Sequence, residues 1–274
     1  LSVNYGLNDN SLFSSSNFVR TALNLSPNAP RLYNEDGNLN WEDSSWNNPL
    51  AALEGEGEAK TNSLVSNLGL QYDLTKSLTF KANLGYNLLN SKENILLPIE
   101  TYDPAIWNRV SNRSQHSFVN RISWIAEPQL HYKKSKGYHN IDALVGATFQ
   151  ENNNDNLVIN GTGYSDKQLI GNLNAADAVS VNNDRKLVYK YQAMFARLGY
   201  NWNRTYFLNL TGRRDGSSRF SPENRYANFG AVGMAWIFTN NLFFSEKLPF
   251  LSFGKLRGSY GITGNDQIGD YRYL

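Results

Sequence analysis

"SLTFKANLGYNLL", residues 77–89, alternates almost without a break between apolar and polar side chains. Leu78, Phe80, Ala82, Leu84, Tyr86 and Leu88 share one parity; Thr79, Lys81, Asn83 and Asn87 share the other. A β-strand sends successive side chains to opposite faces, so this stretch makes a strand with one apolar and one wet side. The fold turns on what lies against the apolar side, a protein core or lipid.

Bulk properties narrow the choice. The chain has 274 residues, with 26 basic and 24 acidic side chains and a formal charge of +2, so nothing in it seeks a polyanion such as nucleic acid. Mean hydropathy is -0.51. The longest run of apolar residues plus Gly, "FGAVGMAWIF" at 229–238, is about half of what a spanning helix needs. A spanning β-strand needs only about 9–11 residues with every second one apolar, so low hydropathy is compatible with a barrel. Cysteine is absent, which removes disulfides and thiolate metal sites. Aromatics reach 13%, with 16 Tyr and 6 Trp, a composition suited to strands and to interfacial rings.

The alternation recurs along the chain. "LSVNYGL" (1–7), "SLVSNLGLQYDL" (63–74), "ISWIAEPQLHYKK" (122–134), "IDALVGATFQ" (141–150), "MFARLGYNW" (194–202), "TYFLNLTGR" (205–213), "AVGMAWIF" (231–238) and "KLRGSYGIT" (255–263) join the opening stretch to give about nine strands of about ten residues each. Leu208 and Leu210 continue the apolar parity. Pro128 lacks a ladder donor and is expected at a bulge.

The connections carry more information than the strands. Those near 73–76, 134–137 and 203–205 are short, whereas 10–61, 90–116, 153–186 and 215–226 are long and polar. Outer-membrane barrels alternate in this way, with short periplasmic turns and long outer loops. The connection at about 239–252 is longer than that rule wants. Tyr72, Tyr132, Tyr138, Trp202, Tyr206 and Phe238 all fall near the short side, where rings with a wet tip form a girdle at headgroup level. Strand-rich soluble proteins are also rich in Tyr, but they give no reason for all long loops to share one end. The sequence therefore predicts an all-β fold, an antiparallel transmembrane barrel segment. Leu78, Phe80, Leu84, Leu208 and Leu210 face lipid, and Lys81, Asn83, Gln129, Lys133, Arg197, Asn209, Arg213 and Arg257 face the lumen.

Three blocks resemble one family. "RRDGSSRFSPENRYANFGAVGMAWIF" (213–238), "LSFGKLRGSYGITGNDQIGDYRY" (251–273) and "FVRTALNLSPNAPRLYNEDGNLNWEDSSWNNPLAALEG" (18–55) are similar to stretches of the SusC/RagA family of TonB-dependent outer-membrane transporters. That resemblance implies a barrel of about 22 strands plugged by an N-terminal domain. It implies import of oligosaccharides or peptides, a SusD-like surface lipoprotein as lid, and energy supplied through TonB. Neither a plug nor a TonB box is recognisable in this sequence. About nine strands cannot close a barrel, and open edges do not persist in lipid. The expectation is a single barrel domain over 1–274 that is one part of a longer polypeptide.

Chemistry in the enzymatic sense finds little support. His116, His131 and His139 sit in three different contexts, and no nucleophile–base set, H-E-x-x-H or P-loop is present, so no catalytic residue, metal or cofactor is expected. "NEDGN" (34–38) lacks the full calcium-loop pattern and reads as a turn. "ENNNDN" (151–156) reads as a solvated loop. In "RDGSSRF" (214–220), Asp215-Gly216 signals a turn and Arg219 is suited to clamping a carboxylate. Trp41, Trp46, Tyr102, Trp107 and Tyr164 fall in the long outer loops, where they suit a lid lipoprotein or the substrate. The competing class is a surface-exposed β-rich adhesin or carbohydrate-binding protein without transport activity.

Overall fold

The computed structural model describes residues 1–13, 18–240 and 251–269. Nine strands form one antiparallel sheet in chain order: β1 (Ser2–Phe13), β2 (Glu56–Thr75), β3 (Leu78–Leu97), β4 (Asn112–Lys136), β5 (His139–Tyr164), β6 (Ala178–Trp202), β7 (Tyr206–Ser217), β8 (Tyr226–Trp236) and β9 (Leu256–Ile262). Every neighbour in the sheet is a neighbour in sequence, and the sheet stays open, with β1 and β9 at its edges. Its one α-helix among the described residues, α1 (Phe18–Leu23), is short, and none of the described helices is long and apolar enough to cross a membrane.

Three short turns stand where the sequence places them. Lys76 and Ser77 join β2 to β3, and Thr75 Oγ1 accepts from the Ser77 and Leu78 amides at 3.2 and 3.1 Å. Gly137 and Tyr138 join β4 to β5, and Gly137 supplies the left-handed φ of 57° that so tight a turn needs. Asn203 to Thr205 join β6 to β7, with Asn203 and Arg204 both left-handed. The connection expected at about 239–252 falls largely on 241–250, outside the described residues.

The register decides which residues share a face. Tyr72, Phe80, Leu130, Val145 and Ala196 form one cross-strand row. Leu78, Tyr132, Ala143, Leu198, Leu210, Val232 and Tyr260 form the next. Leu208 stands beside Tyr200 and Met234 in the row below. The apolar side chains of eight strands, β2 to β9, thus build one continuous surface. Nothing among the described residues packs on it: Phe80 is 36% and Leu84 39% exposed, and none of their large side chains is fully buried. A soluble protein does not leave a patch of this size open to water.

Along each strand the apolar band has a membrane's width. It runs from Leu78 to Leu88 in β3, from Ile122 to Tyr132 in β4, from Ile141 to Phe149 in β5 and from Met194 to Trp202 in β6, each about 9–11 residues. From β2 to β6 the row above Leu88 and Ile122 is Asn62, Asn90, Asn120, Asp155 and Lys186, all polar. At the lower end Trp202, Tyr206 and Trp236 stack in sequence, with centroids 5.5 and 6.2 Å apart, and Phe238 meets Trp236 edge-on at 5.9 Å. These rings form the girdle at the short-turn side.

Four local expectations are corrected. Five of the nine strands are far longer than about ten residues: β2 and β3 have 20, β4 and β6 25, and β5 26, whereas β1, β7, β8 and β9 have 12, 12, 11 and 7. About half of 90–116 and most of 153–186 are therefore strand, and "ENNNDN" is ladder rather than loop, because main-chain hydrogen bonds carry the sheet upward after the lipid-driven alternation has ended. Pro128 makes no bulge. The β4–β5 pairing lapses at Glu127 and Pro128 and resumes in the same register at Gln129 with Gly146. Asp215 and Gly216 form no turn: they pair with Ala227 and Tyr226, since a Gly there lets the Tyr226 ring lie where a Cβ would come within 2.6 Å of it.

Candidate functional site

The face opposite the apolar band is polar, and the eight residues assigned to the lumen all lie on it. Lys81, Gln129, Gly146, Phe195 and Arg213 make one row. Asn83 stands opposite Glu127, Asn209 opposite Gly199, and Arg257 opposite Ala235 near the β9 edge. Lys133 and Arg197 meet at Asp142: Arg197 Nη2 donates to Oδ1 at 3.1 Å, Lys133 Nζ lies 3.5 Å from Oδ2, and His131 Nε2 lies 3.0 Å from Oδ1. These charges are half-exposed and contribute little to stability. They leave this face charged and hydrated.

Higher on the same face, residues that the sequence reading passed over form a network. The segment Thr263–Gly269 leaves β9 and folds back over β8, so the two family-like blocks meet. Asp266 Oδ2 accepts from Tyr189 Oη at 2.7 Å and from Ser217 Oγ at 2.8 Å. Arg219 donates through Nη1 to the Asp266 carbonyl at 3.1 Å, and its guanidinium lies 4.4 Å from the Tyr189 ring centroid. The clamp expected of Arg219 thus reaches a main-chain carbonyl, while Tyr189 and Ser217 hold the carboxylate. Burial first, and Asp266 second, push the Tyr189 hydroxyl well above its usual range, so it stays a donor. Next to it, Arg213 Nε donates to Asp215 Oδ1 at 2.6 Å and stacks 5.6 Å from the Phe195 centroid.

At the top of the sheet, Tyr164 is corrected. It is the last residue of β5, 4% exposed, and its hydroxyl lies 2.6 Å from Ser114 Oγ. It is an internal brace, not an interface anchor. Ser114 Oγ in turn meets His116 Nε2 at 3.1 Å, and Asn94 Oδ1 meets His116 Nδ1 at 2.9 Å. Burial, then Lys92 from β3, lowers the His116 pKa below 6.5. A His that resists protonation only in the fold gives stability that is full above about pH 6.5 and falls as pH drops through that value. The protection factors of the amides at 112–120, referred to the intrinsic exchange rate at each pH, should therefore fall on acidification to pH 5. The effect should vanish in His116→Gln; an unchanged pH response in that variant would assign it elsewhere.

Trp41, Tyr102 and Trp107 do meet. They line a cleft of about 910 Å³ between the β1–β2 and β3–β4 connections, together with Glu42, Asp43, Glu54, Glu100 and Asp103. Trp107 Nε1 donates to the Tyr102 carbonyl at 2.9 Å, and Arg113 binds the Tyr102 hydroxyl and covers its ring. "NEDGN" is the expected turn at the rim: the Gly37 amide donates to the Asn34 carbonyl at 3.1 Å. Glu42, Asp43 and Ser44 are all left-handed, a strained run held by the Asn40 side chain. Trp46 lies apart from this cleft, its Nε1 donating to the Asn40 carbonyl at 3.1 Å.

Comparison with known proteins fits this geometry. No family model matches the chain. It is 30% identical over 253 residues to TonB-dependent receptor P3 of Formosa agariphila, covering 89% of this chain and 24% of the relative. It is 28% identical over 248 residues to TonB-dependent receptor SusC of Bacteroides thetaiotaomicron, covering 88% of this chain and 24% of that protein. The sheet superposes on the RagAB peptide transporter with a TM-score of 0.74 over 98% of this chain and 32% of the other, at 22% identity. The chain is a barrel segment of the SusC/RagA-like TonB-dependent transporters. It spans about a quarter of the length of the curated relatives it matches. TonB-dependent receptors of this kind are outer-membrane β-barrels and not enzymes, so the apolar band of this SusC/RagA-like sheet belongs to the outer membrane.

Proposed function

We propose that this SusC/RagA-like sheet is part of the wall and mouth of an active importer. Its apolar face meets lipid through Leu78, Phe80, Leu84, Leu208 and Leu210. Its polar face, from Lys81 and Asn83 to Arg213 and Arg257, lines the lumen against a plug contributed by the rest of the polypeptide, which also engages TonB. The solute is an oligosaccharide or peptide delivered beneath a SusD-like lipoprotein. The observation that carries this reading is one sheet with a membrane-wide apolar band on one side and a charged, hydrated face on the other. The walls of β2–β6 then continue well beyond the band to an aromatic cleft. A solute path needs the polar face, and a docking platform needs rings on a rigid support.

The lid is tested on the full-length transporter in its membrane. Trp41→Ala with Trp107→Ala should reduce co-purification of the surface lipoprotein by about tenfold or more, as loss of interface anchors does. Barrel assembly should be unchanged. Undiminished lipoprotein after both substitutions would overturn the platform. Extraction of the full-length protein without detergent would instead favour a surface adhesin.

A further inference from the structure

A second concavity, of about 460 Å³, lies on the other side of the wall. It exists because the β7–β8 hairpin ends at Ser217 and Tyr226 while β5 and β6 continue upward, leaving a notch beside the taller strands. Its floor includes Trp124, Phe149, Val188 and Tyr226. Trp124, Phe149 and Val188 carry the apolar parity, and Phe149 is the last apolar residue of the band in β5 before Glu151. The notch therefore straddles the level where hydrocarbon gives way to headgroups.

Its charges are unbalanced. Lys190 and Arg225 line it, and Arg214 lies 5.2 Å from the Tyr226 ring centroid beside it. The one carboxylate in the lining, Glu151, is 3.6 Å from Lys190 Nζ. Arg225 Nε is buried and has no hydrogen-bond partner. A buried N–H on a cation is strongly unfavourable unless an acceptor is supplied from outside.

We propose that this notch binds a phosphorylated amphiphile of the outer leaflet, its phosphate on Arg225 and Lys190 and its first chain carbons on Trp124, Phe149 and Tyr226. An uncharged lipid would leave Arg225 without an acceptor. A free anion would leave the aromatic floor uncovered. The transported solute is excluded by position, because the notch opens on the apolar side of the sheet, away from the polar face. The assignment rests on the reading that this side meets lipid. That reading fails separately, by extraction without detergent.

The test uses the full-length transporter in nanodiscs of neutral lipid doped with diphosphorylated lipid A or with the same lipid dephosphorylated. Retained lipid is read by native mass spectrometry, and folded barrel by heat-dependent gel migration. The phosphorylated form should be retained at least about tenfold over the other, a typical effect of charge-assisted hydrogen bonds. Lys190→Gln with Arg225→Gln should abolish that preference, whereas Lys60→Gln with Lys92→Gln, elsewhere on the wall, should keep it. Equal retention of the two lipids, or an undiminished preference in the Lys190/Arg225 variant, would overturn the site. Equal competition by inorganic phosphate would make it an anion site without a lipid.

Discussion

Leu84→Arg is expected to abolish barrel assembly, while Asn83→Arg, one residue away, leaves it intact. Leu84 lies near the middle of the β3 band and is 39% exposed with no protein against it. A guanidinium on the lipid face near the midplane costs about 2–4 kcal/mol, and position 84 is too far from either interface for an arginine there to snorkel without strain. Asn83 points to the polar face, opposite Glu127, where a further cation is hydrated and finds a carboxylate. Heat-dependent gel migration of the full-length protein from outer membranes reads the difference. Equal assembly of the two variants would refute the assignment of faces.

Asp266→Ala is expected to release the segment 263–269 from the inner wall. The substitution leaves the Tyr189 hydroxyl and Ser217 Oγ without their shared acceptor. Hydrogen bonds to a charged group contribute about 1.5–3 kcal/mol each, so amide exchange in 263–269 should rise at least about tenfold. Gly264→Val tests the same strap by another route, because a Cβ at Gly264 would come within 2.3 Å of the Phe229 ring. It should give the same exchange pattern with every polar group retained. Unchanged exchange in both variants would mean that the strap is held elsewhere.

The contrast between Leu84 and Asn83 also explains how much of the molecule the sequence discloses. All nine strands and three turns are legible because lipid on one side and water on the other impose a period of two. At 90–94 and 150–156, just above Leu88 and Phe149, both faces are polar, so that imprint disappears, and Asn-rich residues 152–156, poor strand formers by propensity, look like loop. The surface faces of Lys81 and Arg213 follow from parity. The meeting of Asp266 with Tyr189 does not, because it depends on how far a strap folds back across β8. Tyr164 was misplaced for a related reason: its burial comes from Ser114, fifty residues away and beyond any local pattern.

The unequal heights of the strands have a mechanical corollary. Ser217 at the end of β7 is level with Tyr191 of β6 and Gln150 of β5, and β5 continues to Tyr164, a difference of roughly 45 Å along the strand at about 3.3 Å per residue. The rim is therefore a parapet on one side and a sill on the other.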